Sequence, residues 1–158
     1  ADGVSSMTGT EPSAVIRIGR LRLASVYGAT PPPLKMPVEA QYWTGLSWIK
    51  NADDGCTPLA NANFLMTPAG WTLSAPAKLA GGSGVISLTP TGPGQIVVCA
   101  DLGPDNGVTC TATTSAALPW LQSKWPGGAS YNNDPSAVAT FGVFSPEGKR
   151  GVYNREMY

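Results

Sequence analysis

Histidine is absent from the 158 residues of the chain. Without an imidazole there is no Ser-His-Asp or Cys-His nucleophile pair, no histidine-ligated zinc or haem, and no ordinary proton shuttle near neutral pH. Glycoside hydrolysis needs two carboxyl groups facing across a cleft, and no acidic residue sits in an apolar run that would suit a general acid. The sequence therefore predicts a protein that is not an enzyme and that uses no cofactor.

Charge is also sparse, because only 13% of the residues are charged and ten Lys and Arg balance ten Asp and Glu. A surface that binds nucleic acid needs a basic excess that displaces counterions. The apolar runs are only a few residues long, whereas a helix that spans a membrane needs about 20 apolar residues. We therefore expect no nucleic-acid partner and no membrane insertion.

Helical periodicity is missing as well, since the 19 glycines and 15 prolines interrupt almost every stretch that could form a helix. Short segments of alternating apolar and polar residues lie between these turn residues. This pattern predicts an all-β, antiparallel β-sandwich, immunoglobulin-like or jelly-roll-like, with a barrel as the alternative. Residues 1–13 are small and polar and are expected to form a flexible N-terminal arm, and residues 14–158 a single domain.

The strands are predicted from this alternation. Their ranges are 16–23, 36–43, 47–50, 63–66, 71–74, 84–89, 95–102, 108–114, 137–144 and 151–158. The second and third strands form a predicted hairpin. The first strand is expected to turn its apolar residues inward: Ile16, Ile18, Leu21 and Leu23. A change of phase near Gly19 predicts a bulge, and three basic residues mark the polar side: Arg17, Arg20 and Arg22.

The chain has three cysteines, Cys56, Cys99 and Cys110. If residues 103–106 form the loop of a hairpin, Cys99 lies opposite Cys110, with Cα atoms about 4.5 to 5.5 Å apart and within reach of a disulfide. We therefore predict a bond between Cys99 and Cys110. Cys56 is then left unpaired, although its pairing with either of the others stays open. A disulfide and few charged residues are typical of proteins exported to an oxidising environment.

Aromatic side chains are the main candidates for ligand binding, with five tryptophans and five tyrosines. Exposed rings stack on the faces of pyranose sugars, so Trp43, Trp48 and Trp125 are candidate stacking residues for a glycan. The alternative interpretation is core packing, because β-sandwiches commonly fill their interiors with aromatic rings.

Three aspartates could offer oxygen ligands to calcium. Asp53 and Asp54 are adjacent carboxylates, and Asp134 ends an oxygen-rich segment that begins at Tyr131. Neither segment has the alternating acidic positions and the final glutamate of a calcium-binding loop. Solvated turns are the simpler interpretation, and no metal site is predicted.

Several short segments together carry a resemblance to a known family. They are residues 17–21, Tyr27-Gly28, 40–43, 54–57, 118–121, 134–136, 139–142 and 153–156. In this order they resemble the C-terminal domain of MshQ-like proteins, which are large bacterial surface proteins encoded with the mannose-sensitive haemagglutinin type IV pilus. The resemblance covers residues 14–158 and is most specific in the last third. It implies export, association with a pilus or the cell envelope, and no catalytic residues.

One segment departs from the family pattern. Relatives carry an acidic, glycine-containing stretch before the Asp-Pro-Ser element, whereas residues 123–130 read Ser-Lys-Trp-Pro-Gly-Gly-Ala-Ser here. The resemblance therefore does not imply calcium dependence for this chain. Its last residues match the end of the family domain, so we expect the terminal piece of a larger polypeptide.

Three hypotheses for function follow. The first is a non-enzymatic structural or binding module of a pilus-associated or cell-surface adhesin, located outside a bacterial cell and contacting pilus components or other domains of its parent protein. The second is a carbohydrate-binding module that uses exposed tryptophans. The third is a self-assembling subunit, a homo-oligomer in which the arm 1–13 or an edge strand extends a neighbour's sheet.

Overall fold

The structure, a computed structural model, describes residues 17–29, 33–104, 118–125 and 130–142. Its strands are β1 (Gly19–Leu23), β2 (Val26–Gly28), β3 (Leu34–Trp43), β4 (Trp48–Lys50), β5 (Phe64–Thr67), β6 (Thr72–Ser74), β7 (Ser83–Thr89), β8 (Gly94–Ala100) and β9 (Ser136–Phe141). Two single-turn 3₁₀ helices, Asn61–Asn63 and Pro119–Leu121, are the helical segments within these ranges. The strands form two sheets, which confirms the prediction of an all-β sandwich.

The first sheet has the order β1-β3-β7-β6, and β4 also pairs with β3. The β3–β4 hairpin was expected from the alternating residues on each side of a Thr-Gly turn, and it is confirmed, with Trp43 directly opposite Trp48. Strand β3 is the longest strand described, and its two ends have different neighbours. Its first half pairs with β7 and its last residues pair with β4.

The second sheet has the order β2-β9-β8-β5. Its pairs are antiparallel except for β2 and β9, which run parallel. Only Ala24 and Ser25 separate β2 from β1, so one extended segment pairs first with one sheet and then with the other. The Ser25 hydroxyl accepts a hydrogen bond from the Val138 backbone N–H at 3.1 Å, which holds this crossing against β9.

The core lies between the two sheets and is mostly aliphatic, with Phe64 and Phe141 as its buried aromatic residues. Its largest fully buried apolar side chains include Leu21, Met36, Leu79, Ile86, Leu88, Ile96 and Leu102. The alternation of β3 supplies one side of this layer, because Met36, Val38 and Ala40 are buried while Lys35 and Pro37 are exposed. Burial of alternate residues is what a sheet with one solvated face requires.

The prediction for Ile18 is wrong. Its side chain is 64% exposed, and β1 pairs with β3 without interruption from Gly19 opposite Tyr42 to Leu23 opposite Val38. No bulge therefore shifts the phase of β1. Strict alternation places Ile18 on the outer face together with Arg20 and Arg22, whereas Arg17 shares the side of Gly19 and Leu21.

Some predictions fall outside the described residues. These are the arm 1–13, Ile16, the strands 108–114 and 151–158, the last two residues of the strand 137–144, and Cys110. Where the chain is described, no helix is long and apolar enough to cross a membrane.

Candidate functional site

A cleft of about 730 Å³ opens at the end of the sandwich where β1 begins and β3 ends. Four aromatic rings line it, those of Trp43, Trp48, Trp120 and Tyr131. Three of these rings are exposed by 38% (Trp43), 62% (Trp120) and 71% (Tyr131). A cleft of this size with aromatic walls has the general character of a small-ligand site.

One wall of the cleft is the β3–β4 hairpin. The Trp43 and Trp48 rings are tilted by 54° to each other, with centroids 5.6 Å apart. The turn between them is tight because the Thr44 N–H donates to the Ser47 carbonyl at 3.0 Å and the Thr44 hydroxyl accepts from the Ser47 N–H at 3.1 Å. The paired register therefore brings both tryptophans to the same place on the outer face.

The opposite wall is the segment 118–125, which lies along β1. Its 3₁₀ turn begins at Pro119, a residue suited to the first position of a helix. Leu121 is buried, with an exposure of 5%, while the preceding Trp120 is exposed. Consecutive side chains of a 3₁₀ helix point about 120° apart. Burial of Leu121 therefore turns Trp120 outward, toward the cleft.

A buried polar cluster anchors this segment to the second sheet. The Asp134 carboxylate, 1% exposed, accepts hydrogen bonds from the Leu102 backbone N–H at 3.1 Å and from the Gln122 side-chain amide at 3.0 Å. The same Gln122 amide also donates to the Gly103 carbonyl at 3.1 Å. Ser123 and Asn133 add two backbone hydrogen bonds between their segments. The wall that carries Trp120 is thus fixed by buried hydrogen bonds.

Trp125, predicted as a stacking residue, contacts an arginine in the structure, and its stacking on a glycan stays a prediction. The Arg20 guanidinium lies 4.9 Å from the centroid of the Trp125 ring and 4.2 Å from that of Trp48. Its Nε donates to the Gln41 side-chain oxygen at 2.8 Å. Trp125 covers Arg20 on the outer face, outside the set of residues that line the cleft.

The Arg20 side chain is therefore partly buried between two aromatic rings. Burial lowers its pKa, repulsion from Arg22 lowers it further, and Glu39 opposes the shift. An arginine guanidinium nevertheless stays protonated in proteins, so the positive charge is kept. This arrangement holds Trp48 in position by cation–π contact.

We expect Arg20→Lys to lower the free energy of unfolding by about 1 kcal/mol, because an ammonium cannot stack its plane on either ring. Urea unfolding followed by fluorescence measures this loss, and near-UV circular dichroism reports the tryptophan environment. Arg22→Lys on the same strand, whose side chain is exposed, is the matched control and should change stability by less than about 0.5 kcal/mol. Equal effects of the two substitutions would contradict the stacking role.

A second, smaller cleft of about 490 Å³ adjoins the first, and Arg17 lines both. Arg17 Nη1 donates to Asp53 Oδ2 at 3.1 Å and to Asn51 Oδ1 at 3.2 Å. Its guanidinium also lies 4.3 Å from the centroid of the Tyr42 ring. Cys56, a free and exposed thiol, opens into this second cleft.

The structure separates the three calcium candidates by role. Asp53 forms the ion pair with Arg17. Asp54 Oδ1 accepts from the Thr57 N–H at 2.9 Å and Oδ2 accepts from the Thr57 hydroxyl at 2.6 Å, which is the geometry of a capped turn. Asp134 belongs to the buried cluster. Among the described residues, no three His, Cys, Asp or Glu side chains come together as metal ligands would.

Two site residues were missed by sequence reasoning, namely Trp120 and Tyr131 as parts of one cleft. A local signal existed for Trp120, since Pro119 starts a helical turn and the apolar neighbours Leu118 and Leu121 require burial. Tyr131 carries no such signal. Cys99 lies in β8 and is 4% exposed. Because Cys110 lies outside the described residues, the disulfide stays a prediction.

Comparison with known families gives a match over most of the chain. A family model described as DUF6701, fourth domain, matches residues 17–157. None of the curated proteins and none of the solved structures matches the chain. The match covers both walls of the cleft, and the numbering of the domain within its family indicates a multidomain architecture.

Proposed function

The chain belongs to the DUF6701 family as its fourth domain, and from this premise we propose that it is a non-catalytic binding module of a larger bacterial surface protein. The ligand we propose is a saccharide chain, held in the end cleft. The resemblance to MshQ-like proteins supports a location outside the cell, in a pilus-associated or other surface adhesin. Other domains of that protein, or pilus components, are then the neighbours of this module.

The observation that carries the proposal is the meeting of four aromatic rings from two separate segments at one cleft. Large exposed aromatic side chains are costly to keep in water and tend to mark binding sites when they cluster. Their flat faces match the C–H faces of pyranose rings. The exposed Lys124 lines the same cleft and supplies a polar group for sugar hydroxyls.

The alternative of strand addition to a neighbour's sheet has less support. The edge strands of the described sheets are all short: β1 has five residues, β5 has four, and β2, β4 and β6 have three each. Short edge strands offer few unpaired backbone groups to another chain. The geometry of the described residues therefore favours ligand binding over self-assembly through these edges.

We expect Trp120→Ala to weaken saccharide binding about 10- to 100-fold, which corresponds to about 1.4 to 2.8 kcal/mol for an aromatic binding residue. Its side chain is mostly exposed, so the fold should be retained. A glycan array probed with the labelled chain identifies an oligosaccharide, and isothermal titration then measures the affinity of each variant.

The matched control is Tyr27→Ala, which removes an exposed aromatic ring in β2 that does not line the cleft. This variant should bind like the parent chain. Trp120→Tyr should recover part of the affinity, because a ring face is restored. An array without any bound glycan, or affinities that neither Trp120→Ala nor Trp43→Ala changes, would count against the proposal.

A further inference from the structure

Within the part of the chain that the structure describes, basic and acidic side chains differ in burial, although the sequence has a formal net charge of zero. Every basic residue that the structure describes is exposed or half-buried. Three of the described acidic residues are buried instead: Asp54 at 9%, Asp101 at 3% and Asp134 at 1% exposure. In the described part of the chain, Glu39 and Asp53 are then the acidic side chains left at the surface.

Both of these surface acids already have partners. Asp53 accepts from Arg17 at 3.1 Å, and Glu39 accepts from the Gln41 side-chain amide at 2.7 Å. The Lys124 side chain is exposed, and its ammonium group forms no ion pair with any residue that the structure describes. A cation without a partner is available to a ligand.

The end cleft has two cationic lining residues, Arg17 and Lys124, and its described lining contains no carboxylate. Arg17 comes from the start of β1 and Lys124 from the opposite wall. The aromatic rings lie in the same cleft. A ligand that filled it would therefore meet ring faces together with the Lys124 ammonium and the guanidinium of Arg17, which is paired with Asp53.

We infer that the cleft binds an acidic saccharide, a chain whose sugars carry carboxylate or sulfate groups. The inference rests on the proposed function and names its ligand class. The aromatic rings hold the sugar faces, and Lys124 attracts the acidic substituents. Arg17, whose guanidinium is already paired with Asp53, adds a second hydrogen-bond donor, and the described lining itself contains no carboxylate.

The test uses two oligosaccharides with the same sugar backbone, one charged and one neutral: oligogalacturonate and its fully methyl-esterified form. Dextran sulfate against dextran is a second pair that separates sulfate from carboxylate recognition. Isothermal titration at low and moderate salt should give at least about fivefold tighter binding of one acidic member than of its neutral partner. Added salt should reduce that difference, because it screens exposed charges.

Variants locate the effect in the cleft. Lys124→Gln should weaken binding of the acidic member about two- to fivefold, the range of an exposed ion pair, and leave the neutral member unchanged. Lys35→Gln is the matched control, because it removes an exposed lysine far from the cleft. Lys35 and Trp43 lie at opposite ends of β3, about 26 Å apart by strand rise. This control should bind both members as the parent chain does.

The outcomes distinguish failure of the acidic ligand from failure of the saccharide site itself. Equal affinities within each pair, with Trp120→Ala still weakening binding at least about 10-fold, would overturn the acidic ligand and keep the saccharide site. Absence of binding to these four polymers and to the glycan array would overturn both. Single-stranded DNA bound more tightly than any saccharide, with the same dependence on Lys124 and Trp120, would also overturn the inference.

Discussion

Asp134→Ala should lower the free energy of unfolding by about 3 kcal/mol. The carboxylate is almost fully buried and accepts hydrogen bonds from the Leu102 N–H and the Gln122 amide. Gln122 keeps a carbonyl partner after the substitution, but the Leu102 N–H loses its side-chain acceptor in the core. A buried donor without a partner costs about 1 to 3 kcal/mol, and the lost hydrogen bonds to a charged group add to this.

Urea unfolding followed by tryptophan fluorescence and by circular dichroism measures the change. Asp53→Ala is the matched control, since it removes a carboxylate whose side chain is 82% exposed and which forms a surface ion pair with Arg17. Such pairs contribute about 0 to 1 kcal/mol. Asp134→Asn keeps an acceptor oxygen and should fall between the two. Similar losses for Asp134→Ala and Asp53→Ala would show that the buried cluster is not a stabilising anchor.

The same substitution should also weaken saccharide binding at a temperature where the variant is still folded. Asp134 does not line the cleft, but Gln122 and Ser123 do, and Gln122 is held by Asp134. Loosening this segment allows Trp120 to leave its position, so that binding must order it again. Titration of the folded variant with the oligosaccharide that the parent chain binds measures this effect.

Gly82→Ala should be comparably harmful and is expected to lower the free energy of unfolding by about 3 kcal/mol. Gly82 has a φ of +70°, and a Cβ built on it would overlap the Asn51 carbonyl. The turn cannot simply move away. The Gly82 N–H donates to the Asp54 carbonyl at 2.6 Å, and its own carbonyl accepts from Ala40 at 2.9 Å.

Substitutions at two other glycines distinguish the cost of backbone strain from the cost of steric overlap of the added Cβ. Gly45 has a φ of +97° and nothing within 4 Å of its Cβ position, so Gly45→Ala should cost only the left-handed strain of about 1 to 2 kcal/mol. Gly92 has neither a positive φ nor a close neighbour, so Gly92→Ala should be neutral or slightly stabilising. Measured by thermal and urea unfolding, Gly92→Ala should be the most stable of the three variants, Gly45→Ala the next and Gly82→Ala the least stable. Any other order would contradict the geometry of the turn.

Much of the fold could be predicted from local pattern. The alternation in residues 36–43 and the following Thr-Gly turn specify a hairpin, because side-chain period and turn chemistry are both local properties. Ile18 shows the limit of this reasoning. Hydrophobicity alone predicts that an isoleucine beside arginines faces the core. The face it occupies is determined by the register of β1 with β3, and β3 is distant in the sequence.

The candidate site was predicted in part. Trp43 and Trp48 were paired correctly, because they belong to one hairpin. Their meeting with Trp120 and Tyr131 depends on how the segment 118–125 lies beside β1, and no local pattern encodes that placement. The burial of acidic side chains could not be predicted from the sequence for a similar reason. Composition counts Asp101 and Asp134 as charges, whereas the fold buries both.

The crossing at Ala24 and Ser25 has a mechanical consequence. β1 starts at the cleft end of the sandwich, and β9, parallel to β2, finishes at the other end. A force that pulls Arg17 and Gly142 apart along the strands loads the β1–β3 and β2–β9 hydrogen bonds together, because these bonds lie across the direction of pull. The ladders must then shear as units and cannot unzip one bond at a time. A pull between these two residues is therefore resisted through this one segment, which pairs with both sheets.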